Sequence, residues 1–214
     1  MNTTLQWVES GLRWLGALAG LGTLVLALLA MASSVRRPAG REEPGARLAL
    51  RLPILLAATL AFFAVGAWLW RSLPWRPEAA WRALLMILGS LLLFGGCLLY
   101  LWGLRTLGRM FAPSSGFGVR LQAGHRLIDS GPYAIVRHPM YLAVVMAAWG
   151  SLLLYRTWAT LGFAVIMLGL VVRARREERV LEAEFGNRWR EYAVRVPAWL
   201  PLRPQSRPPG APDR

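Results

Sequence analysis

Lysine is absent from this chain: every one of its 25 cationic side chains is an arginine, set against only 11 acids. Cysteine occurs once and histidine twice. A single cysteine rules out a disulfide within the chain, and no Cys–His spacing supports a metal site. Cys97 lies inside an apolar run and reads as a small core residue. The cofactor signatures of soluble enzymes are missing too. Gly20-x-Gly22 and Gly116-x-Gly118 lack a third glycine and the strand–turn–helix setting a dinucleotide needs. No Walker lysine and no Gly-x-Ser-x-Gly elbow occurs. A Rossmann domain, a P-loop ATPase and a serine hydrolase are all disfavoured.

What is present is apolar surface. Of 214 residues, 56% are hydrophobic, above the roughly 45–50% of soluble domains. The net charge of +14 could suggest nucleic acid, but most arginines sit between apolar runs, as in positive-inside loops that also meet anionic lipid. Membrane lipids, not nucleic acid, are the expected partner.

The pattern predicts an all-α polytopic membrane protein with about five transmembrane helices. Apolar runs cover about 12–32, 48–70, 81–104, 140–155 and 159–172. The first is long enough for a hydrocarbon core of roughly 30 Å. Ala30-Met31-Ala32 resembles a signal-peptidase site, yet Glu9 and Arg13 precede a run longer than a signal's apolar region, which favours a retained helix. Gly16-x-x-x-Gly20 could permit close helix packing. Trp68, Trp70, Trp75 and Trp81 crowd the second connector like an interfacial belt. The last two runs form a tight hairpin turning at 156–158. Beyond them, Arg173 to about Tyr192 reads as one charged amphipathic helix near the membrane surface. Residues 1–104 are expected to form a three-helix membrane region, 105–200 a catalytic region and 201–214 a disordered tail. Arginine counts place the N-terminus outside, with the 105–138 loop and the C-terminal helix in the cytoplasm. The expected location is a bacterial plasma membrane.

Two polar borders bracket the hairpin. Before it runs Gly131-Pro-Tyr-Ala-Ile-Val-Arg-His-Pro-Met-Tyr141; after it come Arg173, Arg175, Arg176, Glu177 and Glu178. Both histidines, His125 and His138, lie in the preceding loop. Pro139 disfavours a helical backbone at His138 and suits the first turn of the next helix. His138 then stands at a helix N-terminus, where unpaired N–H groups attract a carboxylate or hydroxyl. Arg173 and Glu177 are four apart and share a helix face. They could form a local ion pair, or Arg173 could offer its fork to an anionic substrate while Glu177 holds a cation or ribose hydroxyls.

The order His125-x-Leu127-Ile128-x-x-Gly131-Pro132-Tyr133-x-x-x-Arg137-His138-Pro139-x-Tyr141, a hairpin, then Arg173-x-x-x-Glu177-Glu178-x-x-Leu181-x-x-x-Phe185-Gly186-x-x-Trp189-x-x-Tyr192-x-x-x-Val196-Pro197 resembles the isoprenylcysteine carboxyl methyltransferase family. That group also takes in phospholipid N-methyltransferases. The resemblance spans roughly 120–201 and implies an integral membrane enzyme using S-adenosylmethionine on the cytoplasmic side. By resemblance, His125, Leu127, Ile128, Tyr133, His138, Pro139, Met140, Tyr141 and Glu177 contact the cofactor, Met140 through its backbone as Arg126 would. Arg173 falls at a substrate-contacting and catalytic position. A glutamine that some members carry upstream has no clear counterpart; Arg120 or Gln122 stands there. His138 and Glu178 become proton acceptors only if the methyl acceptor is an amine, since a carboxylate needs no base. The expected acceptor is a lipophilic carboxylate, isoprenoid or prenylcysteine-like. Alternatives are a lipid N-methyltransferase, an NADPH-dependent membrane reductase of sterol-reductase type, and a scaffold or transporter. The last would carry charges in the middle of its helices, whereas the arginines here lie at run ends.

Overall fold

The computed structural model describes residues 3–35, 52–75, 77–108 and 127–200. Within them the chain is an all-α polytopic membrane protein whose only β feature is an isolated bridge between Ser72 and Thr157. In chain order the helices are α1 (Thr3–Val35), α2 (Leu52–Trp68), α3 (Ala79–Leu107), a 3-10 turn (Gly131–Ala134), α4 (Pro139–Tyr155), α5 (Trp158–Met167), α6 (Leu170–Phe185) and α7 (Asn187–Arg195). Three helical stretches, Thr3–Ser33, Ala79–Leu107 and Trp158–Phe185, are long and apolar enough to cross a membrane. The shorter α4 has 17 residues, about 25 Å of helix.

Two boundaries differ from the sequence reading. The first helix begins at Thr3, well before the apolar run at Leu12. Its polar opening is accommodated because Glu9 finds arginine partners inside the bundle. The C-terminal amphipathic helix is not one element. Gly186, at φ 53°, ends α6 and begins α7, a left-handed backbone that favours glycine. The fifth apolar run also bends. At Leu168 and Gly169 the amides reach back only three residues, to Val165 O and Ile166 O, a 3-10 step joining α5 to α6.

The centre of the bundle is the α3–α4 pair, the most extensive helix contact in the fold. Gly89, Gly96 and Gly103 recur every seven residues along α3 and form a groove for α4. A Cβ at Gly96 would stand 2.6 Å from Ala143 O, and one at Gly150 would stand 2.7 Å from Gly89 O. Only glycine permits this approach, which brings apolar atoms into dispersion contact. The expected small-residue motif on α1 is half used: Gly16 packs on Leu93 and the Tyr155 hydroxyl, while the Gly20 position meets nothing within 4 Å. Met86, Leu93, Cys97 and Leu154 form the buried cluster between α1, α3 and α4.

The α2–α3 connector is fastened to the hairpin tip by backbone bonds, Leu73 N to Arg156 O (2.8 Å) and Trp158 N to Arg71 O (3.1 Å). Thr157 and Thr160 form a capping box that starts α5. Trp68, Trp70, Trp75 and Trp81 are all exposed at this end, as an aromatic belt would be.

Candidate functional site

Pro139 opens α4 as its first helical residue, and His138 is the N-cap with a non-helical backbone. This is the arrangement that a His-Pro junction dictates. Pro139 is fully buried, and Met140 packs its side chain into the space left by Gly103. The helix start is thereby locked, and Tyr141 is turned toward α6. His138 and Tyr141 rings stack at 5.6 Å with an interplanar angle of 11°.

The second border arrives from α6. Tyr141 donates its hydroxyl hydrogen to Glu177 Oε2 at 2.6 Å and accepts from Arg173 Nε at 3.0 Å. The Arg173 guanidinium also lies over the Tyr141 ring, 5.8 Å from its centroid. Arg173 and Glu177, one helical turn apart, meet at that phenol. Glu178 is rotated about 100° further round the helix and reaches a different pair. Its Oε1 lies 2.9 Å from His138 Nε2 and 3.0 Å from Arg137 Nε. Thus two adjacent glutamates engage the two ends of the Arg137–Tyr141 stretch. His138 and Glu177 stand at the same end of the bundle.

A third wall comes from the C-terminal segment. Arg137 Nη1 donates to Ala193 O at 2.7 Å, and its guanidinium lies over the Trp189 ring. The Arg137 and His138 amides donate to Pro197 O and Ala198 O at 2.8 and 3.2 Å. Trp199 follows and sets its ring 5.7 Å from that of His138. The Tyr192 hydroxyl donates to Tyr133 O at 2.7 Å. Burial pushes the Tyr192 and Tyr133 phenols above their ordinary range.

Of the residues singled out by sequence, His138, Tyr141, Arg173, Glu177 and Glu178 are brought together. Tyr133 joins them through Tyr192 and the 3-10 turn. Leu127 packs against the Trp189–Tyr192–Val196 cluster, and Ile128, next along, is half-buried. Pro139 and Met140 support the site from within the bundle. His125, Arg126, Arg120 and Gln122 lie outside the described residues. Sequence reasoning did not assign roles to Arg137, Trp189 or Trp199. The signal for Arg137 was its place beside His138 facing a Glu-Glu pair; nothing local marked Trp199.

Residues 84–188 match the family model described as phospholipid methyltransferase. That stretch holds α4 to α6, with both polar borders.

Over those residues the chain is similar to the phospholipid methyltransferase family.

Three relatives align with part of the chain. Protein-S-isoprenylcysteine O-methyltransferase B of Arabidopsis thaliana is 32% identical over 99 residues, 45% of this chain and 49% of that protein. Protein-S-isoprenylcysteine O-methyltransferase of Schizosaccharomyces pombe is 34% identical over 82 residues, 37% of this chain and 35% of that protein. The cobalt-zinc-cadmium resistance protein CzcN of Cupriavidus metallidurans is 30% identical over 100 residues, 46% of this chain and 44% of that protein. The chain spans about half or less of the length of these relatives. The resemblance read from the Arg-His-Pro-x-Tyr and Glu-Glu borders is thereby borne out at the level of family.

Proposed function

We propose that this protein transfers a methyl group from S-adenosylmethionine to a lipophilic acceptor at the cytoplasmic membrane face. One observation carries this reading: Tyr141–Glu177 and His138–Glu178 join the two polar borders across the hairpin. The enclosed groups suit a sulfonium nucleotide. Glu177 offers a half-buried carboxylate to a cation or to ribose hydroxyls, while His138, Tyr141 and Trp199 offer ring faces. Tyr133, Ile128 and the backbone of Met140 complete the side toward the pre-hairpin loop.

S-adenosylmethionine supplies an electrophilic methyl on sulfur with a thioether as leaving group. The protein then has to orient and to exclude water. Ideal orientation alone is worth up to about 7–11 kcal/mol of barrier. Arg173, held on the Tyr141 ring, directs its guanidinium fork at an acceptor carboxylate. Tyr141 fixes both Arg173 and Glu177, so the two charged groups are positioned by one phenol. At about 25 Å, α4 is shorter than a hydrocarbon core of roughly 30 Å. With Arg156 at one interface, Tyr141 therefore lies slightly below the other, within reach of a lipid-dissolved acceptor.

The relatives named isoprenylcysteine O-methyltransferases favour a carboxylate acceptor, an isoprenoid or prenylcysteine-like acid. A second reading, an amine-bearing lipid, draws on His138 and Glu178. Their 2.9 Å contact gives a nucleophilic amine a place to lose its proton.

The test is incubation of purified protein in lipid with methyl-labelled S-adenosylmethionine, followed by extraction and identification of labelled product. Labelled ester in the wild type, sharply reduced in Arg173→Ala and Glu177→Ala, is the expected result. Wild-type turnover in both variants would overturn the assignment of these residues. Calorimetric binding of NADPH, without binding of S-adenosylmethionine, would overturn the methyltransferase reading in favour of a reductase.

A further inference from the structure

At the end of the bundle away from the candidate site, Glu9 of α1 is 2% exposed and faces three guanidiniums. Arg13 Nη2 lies 2.7 Å from Glu9 Oε1, Arg82 Nε donates to Oε2 at 2.6 Å, and Arg156 Nη2 pairs with Oε1. Each arginine comes from a different place: α1, the first turns of α3, and the hairpin tip. Arg13 also donates from Nε to Leu154 O at 3.1 Å, and Arg156 from Nη1 to Leu153 O at 3.2 Å.

One carboxylate balances one of the three cations. Glu78, exposed one turn before Arg82, reduces the surplus, and Arg71, stacked on Trp68 nearby in the connector, restores it. Arg82 further sits at the positive end of the α3 dipole, the wrong end for a cation. Arg156 is the only non-glycine residue with positive φ among those described, at 55°. A residue held in that conformation has a cost that the surroundings must offset. Uncompensated positive charge at a low-dielectric boundary attracts an anion. The side chains of Arg13 and Arg82 remain 37% and 28% exposed, so the cluster is open toward lipid. Trp7, Trp14, Trp81 and Trp158, each within two residues of one of these four charged residues in sequence, are exposed, as tryptophans at headgroup depth are.

We propose that the Glu9–Arg13–Arg82–Arg156 cluster binds the phosphate of an anionic phospholipid in the leaflet facing away from the candidate site. Glu9 gathers the three guanidiniums, and Arg13 and Arg82 turn their outer N–H groups to the phosphate oxygens. Bidentate guanidinium–phosphate contact suits arginine over lysine. The lipid would thus bridge α1 and α3 beside the hairpin tip. This inference is independent of the methyl-transfer reading.

The experiment uses full-length protein, delipidated in detergent and melted with added phosphatidylglycerol, phosphatidylcholine or potassium phosphate at matched concentration. Lipid adducts are counted in parallel by native mass spectrometry. Phosphatidylglycerol is expected to raise the midpoint by several degrees and to persist as an adduct, with phosphatidylcholine and free phosphate doing neither. The shift and adduct should be lost in Arg13→Gln and Arg82→Gln and kept in Arg175→Gln, which alters an exposed arginine of α6. Equal responses to the two lipids, or the same shift from free phosphate, would overturn the proposal using wild-type protein alone. So would full retention of the adduct in both variants. If either glutamine variant fails to fold, Arg13→Lys serves in its place: it keeps the charge, loses the fork, and is expected to weaken retention severalfold.

Discussion

The Tyr141 hydroxyl donates to Glu177 Oε2 at 2.6 Å across 36 positions of sequence. It also accepts from Arg173 Nε at 3.0 Å. One phenol therefore sets the positions of an anion and a cation on the neighbouring helix.

Tyr141→Phe removes both bonds and keeps the ring beneath Arg173. A hydrogen bond to a charged group is worth about 1.5–3 kcal/mol, so methyl-transfer kcat/KM should fall roughly 10- to 100-fold. The thermal midpoint should fall as well, since both bonds tie α4 to α6. Radiolabel transfer and a melting curve on the same preparation check both halves. Undiminished transfer would show that Tyr141 does not position the pair.

Glu178 holds His138 and Arg137 through one oxygen. Glu178→Ala leaves the half-buried Arg137 without its carboxylate. A destabilisation of about 1–3 kcal/mol is expected. Trp189 and Trp199 flank this network, so the tryptophan emission should shift as the C-terminal segment loosens. An unchanged spectrum with unchanged stability would argue that the segment is held by Arg137's carbonyl contacts alone.

Gly150→Ala introduces a Cβ against the backbone of α3. The cost expected of overpacking is about 1–3 kcal/mol, read as a lower melting midpoint in detergent. Gly162→Ala, where the added methyl meets nothing within 4 Å, should lie within about 0.5 kcal/mol of wild type. Equal midpoints for the two variants would contradict the close α3–α4 approach.

Glu9→Gln removes the carboxylate that gathers Arg13, Arg82 and Arg156. Breaking a buried ion pair from one side costs about 3–5 kcal/mol. High salt should recover part of the loss by screening the remaining guanidiniums. A melt of the variant across a salt series checks this, and an unshifted midpoint at low salt would refute it.

Long apolar runs separated by arginine determined that this chain would be a bundle of membrane helices, because a buried backbone in lipid must satisfy its own hydrogen bonds. The His138-Pro139 junction determined where α4 starts, since proline restricts its predecessor and tolerates the first turn. The spacing of Arg173 and Glu177 placed both on one face. Those are local effects, legible within a few residues. The tertiary structure decided which partners they meet. No pattern near Glu177 specifies Tyr141, and none near Glu178 specifies Arg137 and His138. Both contacts exist because α4 and α6 cross at one end. Trp199 comes to His138 through carbonyls at Pro197 and Ala198, which carry no side-chain signature. Glu9 read as a polar residue ahead of the first run; it became a buried anchor because α3 and the hairpin tip bring arginines to it. The glycines at 89, 96 and 103 showed a seven-residue period in the sequence. Only the approach of α4 made it a groove. Sequence alone sets backbone preferences and hydrophobic burial, which act along the chain. Charge pairing and ring contacts act across it, and they depend on how the helices pack.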